Sequence, residues 1–224
     1  MIKYKIVRSK ILFFLYLLLP GVYFSQEIAG EWQVKKDEDG IVVYNRKSIN
    51  SSYKEIKSVL YIKTSLQSLV ALVGDWESYP QWVYRCEAST TLKKLSDTSV
   101  IHYQSINVPW PAENRDFVVK NVISQDKKTK IVTMRSYLIP NYIPEKSKMV
   151  RITEMSACWT FVPIKDGKIQ VNYQLFVNVG GNIPAWLVNI ASADGPLETM
   201  INLKEFILKK KYQEAKIPFI KEAN

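Results

Sequence analysis

Few side chains in this sequence are of the kinds that do chemistry. The 224 residues include one histidine, His102, and two cysteines, Cys86 and Cys158. A single histidine leaves a serine–histidine–aspartate triad one candidate base and excludes most zinc-enzyme sites. Two cysteines exclude a disulfide scaffold, a cysteine-based zinc site and an iron–sulfur cluster. We expect His102 to be a structural histidine and the cysteines to be free, buried thiols, although an oxidising compartment would also allow them to pair.

The acidic side chains show no catalytic pattern. Glu77, Glu87, Glu113 and Asp116 could pair for acid–base work, but their spacing singles out none of them. The sequence also lacks the Gly-x-Ser-x-Gly and His-Glu-x-x-His signatures, a phosphate-binding loop and a dinucleotide fingerprint. We therefore expect a protein that binds rather than catalyses, with no catalytic residue, metal or cofactor.

Two arginines stand in predicted strands, where a charge needs a partner. Arg115 and Asp116 are adjacent, so a strand directs them to opposite faces. Arg115 would hold either the head group of a ligand or, in a structural ion pair, a carboxylate of the protein. Arg151 is predicted to share a strand face with the apolar Ala157 and Trp159. On that face a charge requires a buried partner or the wet end of a cavity.

The net charge argues against nucleic acid as a partner. The whole chain carries +10, with 47% hydrophobic and 23% charged residues, which is ordinary for a globular protein. Its dense basic runs, at 127–128 and 209–211, are short. They are typical of solvated surface and not of the clustered stripe of a nucleic-acid-binding protein.

The first 25 residues have the pattern of a secretory signal peptide. A basic head with four cations precedes nine apolar residues at 11–19, and Ser25-Gln26 offers a cleavage point. Nine residues are too few to span a bilayer, which takes about 20. An uncleaved anchor or a buried helix is the alternative. We expect export to the periplasm or the medium and a mature net charge of +6, because the leader holds four of the ten excess cations.

The remaining chain predicts many strands followed by one long helix. Short turns between the strand-like runs imply antiparallel neighbours. The last strand is the clearest, because Val171, Tyr173 and Leu175 share one face. After Gly180 the period changes to that of a helix, which Pro196 is expected to kink or interrupt. The predicted strands are 32–36, 41–46, 54–63, 86–93, 99–108, 115–125, 130–139, 148–163 and 168–179, and the predicted helices are 66–73 and 182–208.

These elements predict one α+β domain over residues 26–214 and a C-terminal tail over 215–224. A large, curved antiparallel sheet is covered on its apolar face by the long C-terminal helix. Because one amphipathic helix cannot cover so wide a sheet closely, the gap between them is a natural place for an apolar cavity. A core filled by side chains, with no cavity, explains the pattern equally well.

Four strings in the right order carry a resemblance to a known family. They are 76–82, 111–118 with Arg115-Asp116-Phe117 inside it, 150–163, and 180–189, which opens with two glycines. Together they resemble the START lipid-transfer domain, which has the helix-grip fold, over about residues 30–210. The resemblance implies a hydrophobic tunnel under the C-terminal helix that holds one lipid or sterol, without implying which.

The candidate ligand contacts come from both sides of this tunnel. The expected partner is one lipid or other hydrophobic small molecule, bound by a monomer that contacts membrane surfaces transiently. Trp110, between two prolines, could gate the cavity or enter a membrane interface, and plain packing explains it as well. The candidate cavity residues are Tyr103, Arg115, Arg151, Trp159, Tyr173 and Leu175 from the strands, and Trp186, Val188, Met200 and Phe206 from the helix.

Two other functions fit the same pattern. Aromatase/cyclases of the wider helix-grip superfamily fold a reactive chain in such a cavity, which requires titratable groups to converge there. The predicted inward faces are instead mostly Val, Leu, Ile, Tyr and Trp, which favours simple binding. An extracytoplasmic interaction module with a filled core is the third hypothesis.

The signal-peptide pattern makes a direct prediction. Expression with the leader intact should yield a soluble periplasmic or secreted protein whose N-terminal sequence begins near Gln26, because the apolar run is followed by a small residue at the cut. A variant without residues 1–25 should fold alone and serve as the control. Recovery of an intact Met1 in a membrane pellet would contradict the prediction.

Overall fold

The computed structural model describes residues 29–49, 51, 53–181, 183 and 185–223, so the predicted leader lies outside the described residues. Within these ranges no helix is long and apolar enough to cross a membrane. The strands are β1 Gln33–Glu38, β2 Ile41–Lys47, β3 Lys54–Lys63, β4 Cys86–Ser96, β5 Ser99–Ile106, β6 Asn114–Gln125, β7 Val132–Leu138, β8 Met149–Arg151, β9 Glu154–Pro163 and β10 Lys168–Asn178. The helices are α1 Leu66–Val73, α2 Ala185–Phe206 and α3 Lys210–Gln213, with a 3-10 segment over Trp76–Gln81.

All of these strands join one sheet. Their order across it is β1-β2-β3-β10-β9-β7-β6-β5-β4, and β8 adds a short parallel pairing to β6. The pairs along that path are antiparallel, as the short connections predict. The pairing of β3 with β10 joins the first three strands to the rest. We call the face that bears Val171, Tyr173 and Leu175 the inner face.

Part of the inner face is covered by a filled core. Ser65 begins α1 by accepting a hydrogen bond from the Ser68 backbone at 2.9 Å, and α1 then buries its apolar side chains. The C-terminal half of α2 contributes Met200 and Leu203 to the same core. The helices therefore bury this part of the inner face. The fully buried large side chains here include Leu60, Leu69, Leu72, Trp82, Phe161, Met200, Leu203 and Ile207.

Helix α2 runs through Pro196 as one element, so Pro196 does not interrupt the helix, while the alternative of a kink there stays a prediction. Proline fixes φ near −65°, a helical value, and removes one hydrogen bond without forcing the helix to end. Two polar contacts hold this helix to the chain after the 3-10 segment. The Asn202 amide donates to the Trp82 carbonyl at 3.0 Å, and the Thr199 hydroxyl accepts from the Tyr84 backbone at 3.1 Å.

The predicted tail is part of the folded unit over its described residues. The Glu222 carboxylate accepts hydrogen bonds from the backbone N–H groups of Leu66 and Gln67, both at 2.9 Å, at the start of α1. A carboxylate at a helix N-terminus satisfies free donors and suits the helix dipole. Ile220 is buried in the same core as α1. The last residues therefore extend the core.

The predicted strand over 148–163 is divided into β8 and β9. Ile152 and Thr153 lie between them and belong to neither. This break changes the alternation of faces, so that Ile152 and Met155 both face inward. Arg151 faces outward, and the prediction that it shares a face with Ala157 and Trp159 is wrong.

Arg151 instead forms a buried ion pair with Asp116. Its Nε lies 2.7 Å from Asp116 Oδ1 and its Nη2 lies 3.1 Å from Oδ2, and the two side chains are only 6% and 1% exposed. The guanidinium also donates to the carbonyls of Ile143 and Pro144 at 3.1 Å. Strand β8, strand β6 and the loop before β8 are therefore held together by one arginine.

Removing that arginine should destabilise the fold without changing ligand preference. Arg151→Met leaves the Asp116 carboxylate buried without a partner, which should cost about 3–5 kcal/mol in the free energy of unfolding. The double variant Arg151→Met/Asp116→Leu should recover much of this loss, because neither charge remains. Urea unfolding measures both values.

Arg135→Met is the matched control, because Arg135 is exposed on the neighbouring strand β7 and should change stability by less than about 0.5 kcal/mol. A loss in Arg151→Met no larger than in this control would show that the buried pair does not stabilise the fold.

Candidate functional site

A cavity of about 620 Å³ separates the inner face from the middle of α2, at residues 192–199. The helix contributes Ser192, Gly195, Pro196 and Thr199, a spacing of three and four residues that places them on one helical face. The strands contribute alternate residues, which is the period expected of one sheet face. The gap predicted between sheet and helix is therefore present, beside the filled core and not in place of it.

The walls of this cavity are mainly apolar. Trp159 stacks on Tyr173 with ring centroids 4.3 Å apart, where the cavity meets the filled core. From there the wall continues along aliphatic residues such as Leu175 and Val177 toward the junction of β10 and α2. Such a surface favours an apolar occupant over water. The apolar lining residues from the strands are Ile56, Ile106, Phe117, Val119, Met155, Ala157, Trp159, Leu175 and Val177.

Four of the ten predicted site residues line the cavity, namely Arg115, Trp159, Tyr173 and Leu175. Contact of these four with a ligand remains a prediction. The side chains of Trp186 and Val188 lie outside the described residues.

Tyr103 does not line the cavity, because it lies on the outer face of β5. It is buried there with Ile101 and Val118. The Lys146 ammonium sits 3.8 Å from its ring centroid, and its hydroxyl lies 3.5 Å from Met149 Sδ. The loop between β7 and β8 thus covers the outer face, so an apolar residue on β5 does not have to point inward.

Three further predicted residues also lie away from the cavity. Met200 is 0% exposed in the filled core. Phe206 packs partly buried against the same core, with the Lys209 ammonium 3.4 Å from its ring centroid. The lining residues of α2 end at Thr199, and Met200 and Phe206 instead pack in the filled core. Arg151 is engaged on the outer face by Asp116.

Arg115 is the charged residue that is buried in the cavity wall. Its guanidinium donates to the carbonyls of Val179 at 3.1 Å and Gly180 at 3.0 Å, and to that of Glu113. Burial lowers its pKa, but an arginine remains charged in proteins. The hydrogen-bonding partners of Arg115 are backbone carbonyls and not a carboxylate. The ion pair at this place is formed by the next residue, Asp116, with Arg151.

The two glycines of the β10–α2 junction make this arrangement possible. Gly180 and Gly181 have φ of +61° and +65°, a conformation that other residues adopt with strain. A Cβ at Gly181 would lie 3.4 Å from Nη2 of Arg115. The chain can therefore turn its carbonyls toward the guanidinium at close range.

Trp110 is 88% exposed, so plain packing does not explain it. It follows Val108 and Pro109, which line the cavity. An exposed tryptophan thus stands on the loop that borders the cavity.

A group of polar and aromatic residues in the cavity wall is missing from the predicted set. His102 and Gln104 lie on β5 and Ser136 on β7, and Trp76 stacks on the His102 ring at 4.9 Å. The sequence of β5 did not indicate them. A strand face with histidine and glutamine resembles a solvent-exposed face when the opposite face carries Ile101 and Tyr103. A structural histidine was expected at position 102, in the core or at the surface, but its place in the cavity wall was not.

Two titratable groups at the site, His102 and Cys86, are held in their neutral forms. Burial lowers the pKa of His102 to about 4 and raises the pKa of Cys86 to about 12. Cys86 and Cys158 are both free thiols. In the described part of the chain, no three His, Cys, Asp or Glu side chains are grouped to hold a metal ion.

Comparison with known proteins identifies the family. The model of the START domain matches residues 28–203. An uncharacterized protein of Pseudomonas aeruginosa is 32% identical over 177 residues, which cover 79% of this chain and 87% of that protein. The phosphatidylcholine transfer protein of Rattus norvegicus is 26% identical over 178 residues, covering 74% of this chain and 78% of the relative.

Solved structures show the same architecture. A STAR-related lipid transfer protein fragment from Xanthomonas axonopodis has a TM-score of 0.72 and 31% identity, over 80% of this chain and 99% of that one. Human StAR-related lipid transfer protein 5 has a TM-score of 0.71 at 14% identity, over 79% and 86% of the two chains, a likeness of fold alone. The chain therefore belongs to the START domain family and has its helix-grip fold, in which one long helix lies across an antiparallel sheet.

Proposed function

We propose that this protein binds one lipid, or a comparably hydrophobic molecule, in the cavity and carries it as a monomer outside the cytoplasm. The observation that supports this most directly is the cavity of about 620 Å³ between α2 and the apolar inner face. That volume lies within the usual range for sites that enclose a small ligand, about 300–1,000 Å³. The lipid transfer proteins among its relatives support the same ligand class.

The walls can supply the affinity without a charged contact. Burying one methylene group is worth about 0.8 kcal/mol, so a chain of ten contributes on the order of 8 kcal/mol before the entropic costs of binding. Met155, Leu175 and Val177 offer such a chain an aliphatic surface. An aromatic floor of Trp159 and Tyr173 closes the end next to the filled core.

We also propose transient contact with a membrane through the loop that carries Trp110. Tryptophan favours the interface between water and lipid, and Trp110 is exposed beside cavity residues Val108 and Pro109. Two exposed cations at the rim, Lys54 and Arg85, add attraction to anionic lipid. A ligand could then pass between bilayer and cavity over a short path.

The residues that line the cavity favour binding of a ligand without its chemical conversion. The described lining residues include no aspartate or glutamate. Since burial holds His102 neutral, its imidazole does not serve as a general acid at ordinary pH. We therefore propose a carrier and not an enzyme.

Filling the cavity should abolish uptake. Ala157 lies in the middle of the inner face, between Ser136 and Leu175 of the neighbouring strands. Ala157→Trp places an indole in the cavity, so uptake of 10-(1-pyrenyl)decan-1-ol should fall at least tenfold. The measurement is the loss of pyrene excimer emission from vesicles of phosphatidylethanolamine and phosphatidylglycerol.

The matched control is Ser156→Trp, the same substitution one residue earlier, at an exposed position on the outer face. It should bind as the wild type does, and circular dichroism should show both variants folded. Normal uptake by a folded Ala157→Trp variant would mean that the ligand does not occupy this cavity.

A further inference from the structure

The deep part of the cavity holds a chain of uncharged polar side chains. Ser136 donates to Asn121 Oδ1 at 2.6 Å, and the Asn121 amide nitrogen donates to His102 Nδ1. Because an amide nitrogen only donates, Nδ1 accepts and the ring proton is on Nε2. Nε2 in turn points at Gln104 Oε1, 3.5 Å away. The four side chains thus form one directed chain across β5, β6 and β7.

Both ends of this chain reach the cavity with hydrogen-bonding capacity. Gln104 accepts from His102 through Oε1, and its amide nitrogen carries two hydrogens that can donate. The Ser136 hydroxyl, having donated to Asn121, keeps lone pairs that can accept. His102 and Gln104 are more than nine-tenths buried. Buried polar groups in an apolar wall cost free energy unless something pairs with them.

This polar end is separated from the cations of the cavity. Arg115 lies opposite Ile106 near the β10–α2 junction, and His102 is four residues farther along β5, about 13 Å at the rise of a strand. Among the described lining residues, the other cations are Lys54 and Arg85, both exposed. An ionised group placed beside His102 would therefore lose its water without gaining a counter-charge, which costs several kcal/mol.

The neighbouring titratable groups supply no positive charge that would offset the desolvation of an ionised head group. Burial raises the pKa of Tyr79 and of Tyr173, so both phenols stay neutral. Burial also keeps the His102 imidazole neutral above about pH 4. The wall at the deep end is therefore uncharged over the ordinary pH range, and the nearby Glu77 carboxylate, whose charge acts on His102, further opposes an anionic head group.

We propose that Gln104 and Ser136, aligned by His102 and Asn121, form a subsite for a neutral, hydroxyl-bearing lipid head. The hydroxyl oxygen accepts from the Gln104 amide or the hydroxyl hydrogen is donated to Ser136, while the hydrocarbon part lies along the aliphatic walls. The cavity then selects neutral lipids over lipids with a phosphate head. This inference rests on the proposed function and adds the class of ligand to it.

Three probes with one tail test the selectivity: 10-(1-pyrenyl)decan-1-ol, its phosphate monoester and 1-decylpyrene. Their uptake from the same vesicles gives relative affinities at matched size. The wild type should prefer the alcohol over the phosphate at least tenfold. Gln104→Leu should lower the alcohol-to-hydrocarbon ratio about fivefold, which is the order of one hydrogen bond, while binding of the hydrocarbon stays unchanged or rises.

Gln174→Leu is the matched control, because Gln174 is exposed on the outer face of β10, and its ratio should equal that of the wild type. Ser136→Ala is a second test that does not depend on the folding of the Gln104 variant, and it should lower the same ratio.

The outcomes separate the two proposals. If the wild type takes up the hydrocarbon and the phosphate as well as the alcohol, and Gln104→Leu and Ser136→Ala leave the ratios unchanged, lipid binding stands and the polar subsite is refuted. If none of the three probes binds, the proposed function fails and the subsite fails with it.

Discussion

The structure depends on the mismatch between one helix and a wide sheet. Helix α2 has 22 residues, a length of about 33 Å, and must shield the inner face of a sheet whose main path has nine strands. Its C-terminal half does so with the help of α1 and the chain end, and the large apolar side chains there are fully buried. Beneath residues 192–199, in the middle of the helix, the inner face lines the cavity. Stability and binding thus occupy neighbouring regions of one inner face.

The alternation of side chains along β6 directs its two charged residues, Asp116 and Arg115, to opposite faces of the sheet. Asp116 points outward and is neutralised by Arg151, which holds β8 and its preceding loop to β6. Arg115 points inward and is held by the carbonyls of the β10–α2 junction. Two of the strings that suggested the family are therefore in physical contact, because the arginine of one is bonded by the glycine turn of the other. This contact ties the turn that precedes α2 to strand β6.

Much of the fold could be predicted from the sequence, because strand alternation and short turns are local signals. The order of strands and helices, the antiparallel pairing and the inward face of β10 follow from period and turn chemistry alone. The break at Ile152 and Thr153 could not be seen, since nothing in the apolar alternation marks two unpaired residues. That break reversed the face assigned to Arg151.

The site was harder to predict, because burial on both faces of a strand removes the contrast on which alternation depends. On β5 the more apolar face, with Tyr103, is covered by a loop, and the polar face, with His102 and Gln104, lines the cavity. Along α2, pattern alone did not show which residues face the filled core, so Met200 and Phe206 were wrongly assigned to the cavity. The inward orientation of Tyr173 and Leu175 was easier to predict, because their strand β10 has one clear apolar face.

The central claim is that the cavity holds a lipid, and native mass spectrometry of the mature protein tests it most directly. Protein purified without detergent should show, beside the free chain, a species heavier by the mass of one lipid-sized molecule. Organic extraction should release that molecule, and the account predicts that it carries no phosphate. A folded protein that shows only the free mass, and that yields no lipid on extraction even after incubation with vesicles, would contradict the claim.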